Sequence, residues 1–484
     1  MKTKKRILSL LLCGAMLFSL CPRQVLAVDS SSSITYFDEN GDEQTTTGKV
    51  TIVDNTMTEW EEGWYIASGN VEISKRVTVS GNVHLILEDN AALTVTGGIN
   101  VTGNNSLTIY GQRGGTGKLT AQGGKDQDQA GIGGDKTQSG GVITINGGTV
   151  NATGGSNDGA GIGGGGRGDS GGTITINGGT VNATGASYGA GIGGGYFGSG
   201  GTININGGIV TAAGGNRSAG IGGGSGAEDG ERGGGPGGMI TITGGMVTAI
   251  GGDRAAGIGG GSCKVNQNGG SGGDITITGG MVTATGGAGN TAGIGGGIGG
   301  NNGTFKASGD AVIKASTIRD KSNQGTWSGV IFEGSSGKVY GNQTLHINLE
   351  IETGQTLTIS ENTTLTIQQG VILTNDGTLI NGGIITGDGM IDGSGRIIEN
   401  GTIENTIKLG DNVKYQRSSS VTISFSSTEN TEKYGSNITI TAEVAQNVTQ
   451  TTRAIRLNFS LVQAATRNRL AQRMSKLISQ PFLT

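Results

Sequence analysis

The sequence predicts an all-β protein built as a parallel β-helix, in which short strands stack from one turn of the chain to the next. The segment Ala-Gly-Ile-Gly-Gly recurs with spacings of 30, 30, 29, 37 and 36 residues, and segments of alternating apolar and polar residues follow it. It begins at Ala130, Ala160, Ala190, Ala219, Ala256 and Ala292. A repeat of this length indicates stacked units that bury their apolar sides against each other.

Each repeat contains three candidate strands separated by glycines. In residues 173–177, Thr-Ile-Thr-Ile-Asn, the isoleucines point one way and the polar residues the other. Residues 180–184, Thr-Val-Asn-Ala-Thr, repeat the pattern with smaller inward side chains. Residues 160–162, Ala-Gly-Ile, supply the third side, where glycine permits a tight corner. Three strands and three corners describe one rung of a parallel β-helix.

Glycine dominates the composition, with 101 Gly against 3 Pro and 4% aromatic residues. A disordered glycine-rich linker has a similar composition, but it does not keep isoleucine at fixed alternating positions. Asn146, Asn177 and Asn206 fall at one register of the repeat. Their amides therefore predict an internal hydrogen-bonded ladder of the kind that stabilises stacked chains.

Residues 1–27 predict a secretory signal peptide. Basic residues precede an apolar run over 7–20, and Val25-Leu26-Ala27 ends in a small residue, which predicts cleavage after Ala27. We therefore expect a secreted or cell-surface protein with no transmembrane segment after cleavage. Cys263 is then the only remaining cysteine, which excludes a disulfide framework and a cysteine metal site.

The charge balance bears on the partners. Loss of the five basic residues of the signal takes the formal net charge from −4 to −9. The last 34 residues hold six of the 28 basic residues that remain and no acid, so residues 28–450 carry −15. A body this acidic is a poor match for nucleic acid and is compatible with calcium or with neutral and basic glycans.

The regions before the repeats predict a leader and a cap. Residues 28–50 lack periodicity and indicate a flexible leader, and residues 51–128 contain short β-branched strands bounded by glycine. Trp60, Trp64 and Tyr65 stand at the start of these strands. They are interpreted as the cap that shields the open end of the stack, and a sugar-stacking platform is the alternative.

The repeats occupy residues 129–300. The sequence after them predicts further rungs, followed by segments of a different composition. Residues 301–410 alternate at spacings near eight, with Asn-Gly and Asp-Gly corners. Residues 411–420 are polar and are interpreted as a linker. Residues 421–425, Val-Thr-Ile-Ser-Phe, and 434–444, Tyr-Gly-Ser-Asn-Ile-Thr-Ile-Thr-Ala-Glu-Val, then follow. On these residues the segment 421–450 resembles the opening strands of a bacterial immunoglobulin-like module. Residues 451–484 form a basic tail, interpreted as an out-of-frame or truncated end or as a cationic amphipathic helix.

The chain resembles a family of secreted, glycine-rich β-helix proteins of Gram-positive bacteria whose members are labelled carbohydrate-binding-domain proteins. The resemblance covers roughly residues 50–400. It rests on Trp64-Tyr65, on the segments 79–87, 107–112 and 117–121, and on the Ala-Gly-Ile-Gly-Gly repeats. It implies a right-handed parallel β-helix on the cell surface or outside the cell, with glycan binding assisted by calcium.

The variable loops of the repeats hold the candidate binding residues. Tyr188, Tyr196 and Phe197 lie in these loops, where aromatic rings stack on sugars, so a polysaccharide or cell-wall glycan is the expected partner. Loop carboxylates offer oxygen ligands for calcium, the one cofactor considered. Those selected are Asp158, Asp169 and Asp253.

Catalysis is the alternative to simple binding, because parallel β-helices also host pectin-degrading enzymes. Residues 387–395, Gly-Asp-Gly-Met-Ile-Asp-Gly-Ser-Gly, resemble a structural segment of polygalacturonases. Members of that family carry an aspartate pair and a histidine further along, whereas His84 and His346 both precede this segment. The sequence therefore favours a non-catalytic carbohydrate-binding or adhesive protein, with a polysaccharide lyase or glycoside hydrolase as the alternative.

Overall fold

The protein folds as a coil of stacked parallel strands. The structure, a computed structural model, describes residues 33–417 except 126, 168–169, 228–231, 265–267, 290 and 323. The signal peptide, the immunoglobulin-like segment and the basic tail predicted above lie outside the described residues. Among the described residues, the only helix is a single 3-10 turn at Gln324–Thr326. No helix in this part of the chain has the length and apolar character needed to cross a bilayer.

Three faces form the first coil, and each rung contributes one strand to each face. The short face contains Glu59–Trp60, Val77–Val79, Ile99–Asn100, Ile132–Gly133, Ile162–Gly163, Ile192–Gly193, Ile221–Gly222, Ile258–Gly259 and Ile294–Gly295. The Ile-Thr face contains Val50–Ile52, Gly63–Ala67, Asn82–Leu87, Ser106–Gly111, Val142–Ile145, Thr173–Ile176, Thr202–Ile205, Met239–Ile242, Asp274–Ile277 and Thr304–Ala307. The Val-Ala face contains Asn70–Ile73, Ala92–Val95, Lys118–Gln122, Thr149–Thr153, Thr180–Thr184, Ile209–Ala213, Met246–Ile250, Met281–Thr285, Val312–Ala315 and Gly329–Glu333. The three predicted strands of each repeat are therefore confirmed.

The parallel register places like residues above one another. Ile162 pairs with Ile132 and Ile192, and Ile174 pairs with Ile143 and Ile203. These isoleucines are fully buried, whereas the threonines that alternate with them on the Ile-Thr face point outward. Alternation at a period of two thus produces one continuous apolar core inside the coil.

The chain reverses direction at a hairpin within the Val-Ala face. Strand Gly329–Glu333 is antiparallel to Ser336–Tyr340, and the later strands of this sheet run parallel to Ser336–Tyr340. Ile331 belongs to the core of the first coil, whereas Val330 and Phe332 belong to a second core. Successive residues of a strand point to opposite sides. The apolar run Val-Ile-Phe in this strand therefore serves two cores, one on each side of the same sheet.

The second coil continues in shorter rungs from the hairpin onward. Its strands on the shared sheet are Ser336–Tyr340, Thr356–Ile359, Thr378–Asn381, Arg396–Glu399 and Lys414–Arg417. Its other two sheets contain Gln343–Leu345, Thr364–Ile367, Ile384–Thr386 and Thr402–Ile403, and Leu349–Ile351, Ile372–Asn375, Met390–Asp392 and Lys408–Leu409. Successive strands begin six to eight residues apart, somewhat closer than the expected spacing near eight. Lys414–Arg417 lies within the segment predicted to be a linker.

The described part of the predicted leader contains regular structure. Thr35–Phe37 and Glu43–Thr45 form an antiparallel hairpin, and the ring of Tyr36 lies 4.8 Å from Trp64 and 4.7 Å from Tyr110. This hairpin covers an apolar patch on the outer side of the first rungs. The leader was expected to be flexible because its three-residue strands are too short to show periodicity, and its order comes from this tertiary packing.

The first rungs also bury aromatic residues at the start of the first coil. Trp60 is fully buried, Tyr65 is nearly so, and their rings stack at 5.6 Å within the core of the first coil. Trp64 faces the other way and stacks on His84 at 4.5 Å. The positions of Trp60 and Tyr65 fit a cap, and a fully buried Trp60 offers no open face to a sugar.

Candidate functional site

Two sets of glycine-rich loops lie side by side along the short face. The first loops lead from a Val-Ala strand to the next short strand, and the second loops lead from a short strand to an Ile-Thr strand. A backbone N–H of a second loop donates to a carbonyl of a first loop at every repeat. These bonds join Gly166 to Asp128 (2.6 Å), Tyr196 to Asp158 (2.9 Å), Ser225 to Tyr188 (3.0 Å), Ser262 to Arg217 (2.7 Å) and Ile298 to Arg254 (3.1 Å). We call this surface the loop edge.

Each short strand from Ile132–Gly133 to Ile294–Gly295 ends in a glycine, and this glycine permits the close stacking. Gly163 has a φ of 133°, and a Cβ placed on it would lie 2.1 Å from the carbonyl oxygen of Gly193 in the next rung. Any side chain there meets both an unfavourable backbone conformation and a backbone clash. The Gly-Gly segments of the repeat are therefore required by the geometry of the loop edge.

The three aromatic residues predicted to contact sugar come together on the loop edge. The Tyr188 ring lies 5.3 Å from that of Tyr196, and the Tyr196 ring lies 3.7 Å from that of Phe197. Tyr188 belongs to a first loop, and the other two residues belong to the adjacent second loop. All three side chains are partly exposed. A first loop and the adjacent second loop thus combine into one aromatic surface, which we call the aromatic cluster.

Two arginines that the sequence did not single out flank the aromatic cluster. The guanidinium carbon of Arg217 lies 5.5 Å from the centroid of the Tyr188 ring, and that of Arg232 lies 4.3 Å from the centroid of the Phe197 ring. Arg217 is buried, whereas Arg232 is exposed. When the first loops are aligned on their glycines, Arg217 takes the position that Tyr188 holds one rung earlier. This alignment is the sequence signal that could have identified Arg217 as a neighbour of the cluster.

Asp158 lies beneath the aromatic cluster and is 7% exposed. Its carbonyl accepts the Tyr196 N–H, and its carboxylate lies 3.9 Å from the Nε of Arg167. Burial, followed by repulsion from Asp128, raises the pKa of the Asp158 carboxyl to about 6, although Arg167 and Lys136 act in the opposite direction. Asp158 thus titrates well above an ordinary aspartate.

The carboxylates selected for calcium do not converge. Asp253 is exposed and lies on a first loop three rungs after that of Asp158. At about 4.8 Å per rung their separation is about 14 Å, which is too far for two ligands of one calcium ion. Asp169 lies outside the described residues. In the part of the chain that the structure describes, no three acidic, histidine or cysteine side chains are grouped as metal ligands.

Comparison with known proteins supports the fold and leaves the activity open. Five segments of the first coil match a family model described as a beta helix repeat, namely 143–166, 174–196, 203–225, 240–262 and 275–300. The second of them ends at Tyr196 and includes Tyr188. No curated protein and no solved structure matched the chain. The strand stacks and these matches together define a parallel β-helix protein, a fold that occurs in enzymes and in non-enzymes.

Proposed function

We propose that the protein binds carbohydrate through the aromatic cluster on its loop edge. The observation that carries this proposal is the convergence of Tyr188, Tyr196 and Phe197, from two loops, into one partly exposed surface. Aromatic faces pack against the C–H faces of sugar rings, and tyrosine hydroxyls donate to sugar oxygens. The rigid stack beneath the rings lowers the conformational entropy that binding costs.

The proposed setting is outside the cell. The signal peptide predicted over residues 1–27 favours a secreted or surface-associated protein, and a polysaccharide or cell-wall glycan is then the available partner. The label of the family that the chain resembles favours the same ligand class. The protein in this proposal binds or adheres without catalysis.

A glycan array tests the proposal with the secreted chain. We expect retention on a subset of glycans and a loss of at least tenfold in the Tyr188→Ala plus Tyr196→Ala double variant, because two of the three rings of the aromatic cluster are removed. Met246→Ala is the matched control, since Met246 is 53% exposed on the Val-Ala face, away from the loop edge. Unchanged retention in a folded double variant contradicts the proposal. A parallel array with a chelator tests the predicted contribution of calcium.

Carbohydrate cleavage is the second candidate, and one observation favours it. A Cβ placed on Gly166 would lie 2.3 Å from the Cβ of Asp158 and 2.6 Å from that of Asp128, so the two aspartates are close neighbours. Adjacent carboxyl groups, one with a raised pKa, are the machinery of glycoside hydrolysis. Reducing sugar or unsaturated product that disappears in Asp158→Asn supports this second function and contradicts simple binding.

A further inference from the structure

The loop edge continues beyond the aromatic cluster into an open polar depression of about 420 Å³. Its lining comes from three successive second loops and consists of Gly233, Asn268, Gly269, Ser271, Gly299, Gly300 and Asn301. Among the residues that the structure describes, no charged side chain lines it. This polar, uncharged lining suits a neutral ligand that is rich in hydroxyl groups.

The aromatic cluster and the depression are contiguous. Arg232 packs over the Phe197 ring at 4.3 Å, and the next residue along the chain, Gly233, lines the depression. The remaining lining residues lie two and three rungs beyond the loop of Tyr196 and Phe197. At about 4.8 Å per rung, the combined surface extends about 14 Å along the stack. A single sugar ring does not span the whole of this combined surface.

The depression also offers hydrogen-bond donors. The backbone N–H groups of Gly233, Gly269, Ser271 and Gly299 donate to no partner among the described residues. All four residues are at least partly exposed, so water satisfies these groups when no ligand is bound. Sugar hydroxyl oxygens accept hydrogen bonds from such donors.

We propose that the ligand of the loop edge is a polymer of neutral sugars that lies along the stack, with one part on the aromatic cluster and another in the depression. This inference rests on the proposed carbohydrate function and adds the length and direction of the ligand. Binding to both parts at once makes the second contact intramolecular. Affinity is therefore expected to rise with chain length until both parts are filled.

Calorimetric titration with neutral β-1,4-linked glucose, xylose and N-acetylglucosamine oligosaccharides of one to six units tests the inference. For the series that binds, we expect affinity to rise at least tenfold from the shortest to the longest member. Asn301→Trp fills the depression and is expected to remove this gain in affinity with chain length. Thr285→Trp, exposed on the Val-Ala face at a neighbouring part of the coil, is the control and is expected to retain the gain.

The outcomes separate the two proposals. Equal affinity for short and long members in the wild-type protein overturns the extended site and leaves carbohydrate binding intact. Persistence of the full gain in a folded Asn301→Trp also overturns it. An absence of binding to every glycan, here and on the array, overturns both. The chain-length series in the wild-type protein stands on its own if Asn301→Trp fails to fold.

Discussion

Single glycines determine how closely neighbouring loops stack. The glycines that end successive short strands, such as Gly163 and Gly193, share a φ near 130°, and each would direct a Cβ at the carbonyl of the next rung. In most proteins a glycine is required for its own backbone conformation alone. Here the contact between successive rungs adds a second requirement, so the effect of substitution is expected to exceed the usual penalty.

We predict that Gly163→Ala lowers the free energy of unfolding by about 2–4 kcal/mol, through backbone strain and the clash with Gly193. Urea denaturation measures this change. Gly103→Ala is the control, because Gly103 has a φ of 61° and open space around its Cβ position, and it should lose only about 1 kcal/mol. Equal losses in the two variants would show that the inter-rung clash contributes nothing.

Asp158 provides a prediction on pH dependence. Its pKa is raised from 3.8 to about 6 in the folded chain, so the folded state holds a proton more tightly than the unfolded state. The contribution of Asp158 to the free energy of unfolding is therefore fully present below about pH 4, and it is lost as the pH rises through about 6. Asp158→Asn removes the charge and should raise the free energy of unfolding at pH 8 by about 1–3 kcal/mol, with no gain at pH 4.

Chemical denaturation at the two pH values, in the presence of a chelator, measures the effect of Asp158→Asn. Asp376→Asn is the control with the opposite sign, because hydrogen bonds from Ser394 lower the pKa of Asp376. Its substitution should not stabilise the protein at pH 8. If Asp158→Asn is no more stable than wild type at pH 8, then the charged Asp158 carboxylate does not destabilise the folded protein, and the prediction is wrong.

At the scale of elements, side-chain ladders tie one strand to the next. The Asn177 amide donates to the Asn146 side chain at 2.8 Å, the Asn206 amide donates to the Asn177 side chain at 2.8 Å, and Thr243 continues the column to Asn206 at 2.9 Å. The predicted ladder is thus confirmed. It lies at the corner between the Ile-Thr and Val-Ala faces, where Asn146 is buried and Asn206 is exposed, and it is not internal as expected.

Asn177→Ala breaks two ladder bonds and should lower the free energy of unfolding by about 1 kcal/mol. Asn177→Thr should lose less, because Thr243 already fills the equivalent position and keeps one bond. Thermal or urea denaturation of both variants measures the difference. Identical losses for alanine and threonine would mean that the amide bonds do not contribute.

At the scale of the whole molecule, the hairpin at residues 329–340 joins two coils with separate cores. Phe332 is fully buried in the second core and lies over Gly337, where a Cβ would approach its ring to 2.4 Å. Lys314 of the shared sheet bonds to Glu352 of the second coil at 2.9 Å. The junction thus depends on a few residues before the hairpin, such as Lys314 and Phe332, that contact residues after it.

We predict that Phe332→Ala destabilises the second coil by about 3–5 kcal/mol, because it leaves a cavity in that core. In stacked repeats, stability depends mainly on nearest neighbours, so the loss should be local. Hydrogen exchange read by mass spectrometry should show faster exchange in residues 336–410 and little change in 140–260. Ile240→Ala, in the first core, is the control with the reverse pattern. Uniform loss of protection in both variants would show that the two coils unfold as one.

The sequence by itself determined the coil, because the alternation of apolar and polar residues and the glycine spacing are local properties that repeat in register. It also selected Tyr188, Tyr196 and Phe197. Only the tertiary structure decided which loops become neighbours, and so it alone brought Arg217 and Arg232 to the aromatic rings and separated Asp253 from Asp158. The reversal at Gly329–Glu333 was likewise a tertiary outcome, since its apolar run is consistent with a strand buried on both sides but does not say which two cores it joins. The period-two alternation determines which way a side chain points. Contacts between distant loops depend instead on how many residues each turn of the coil contains.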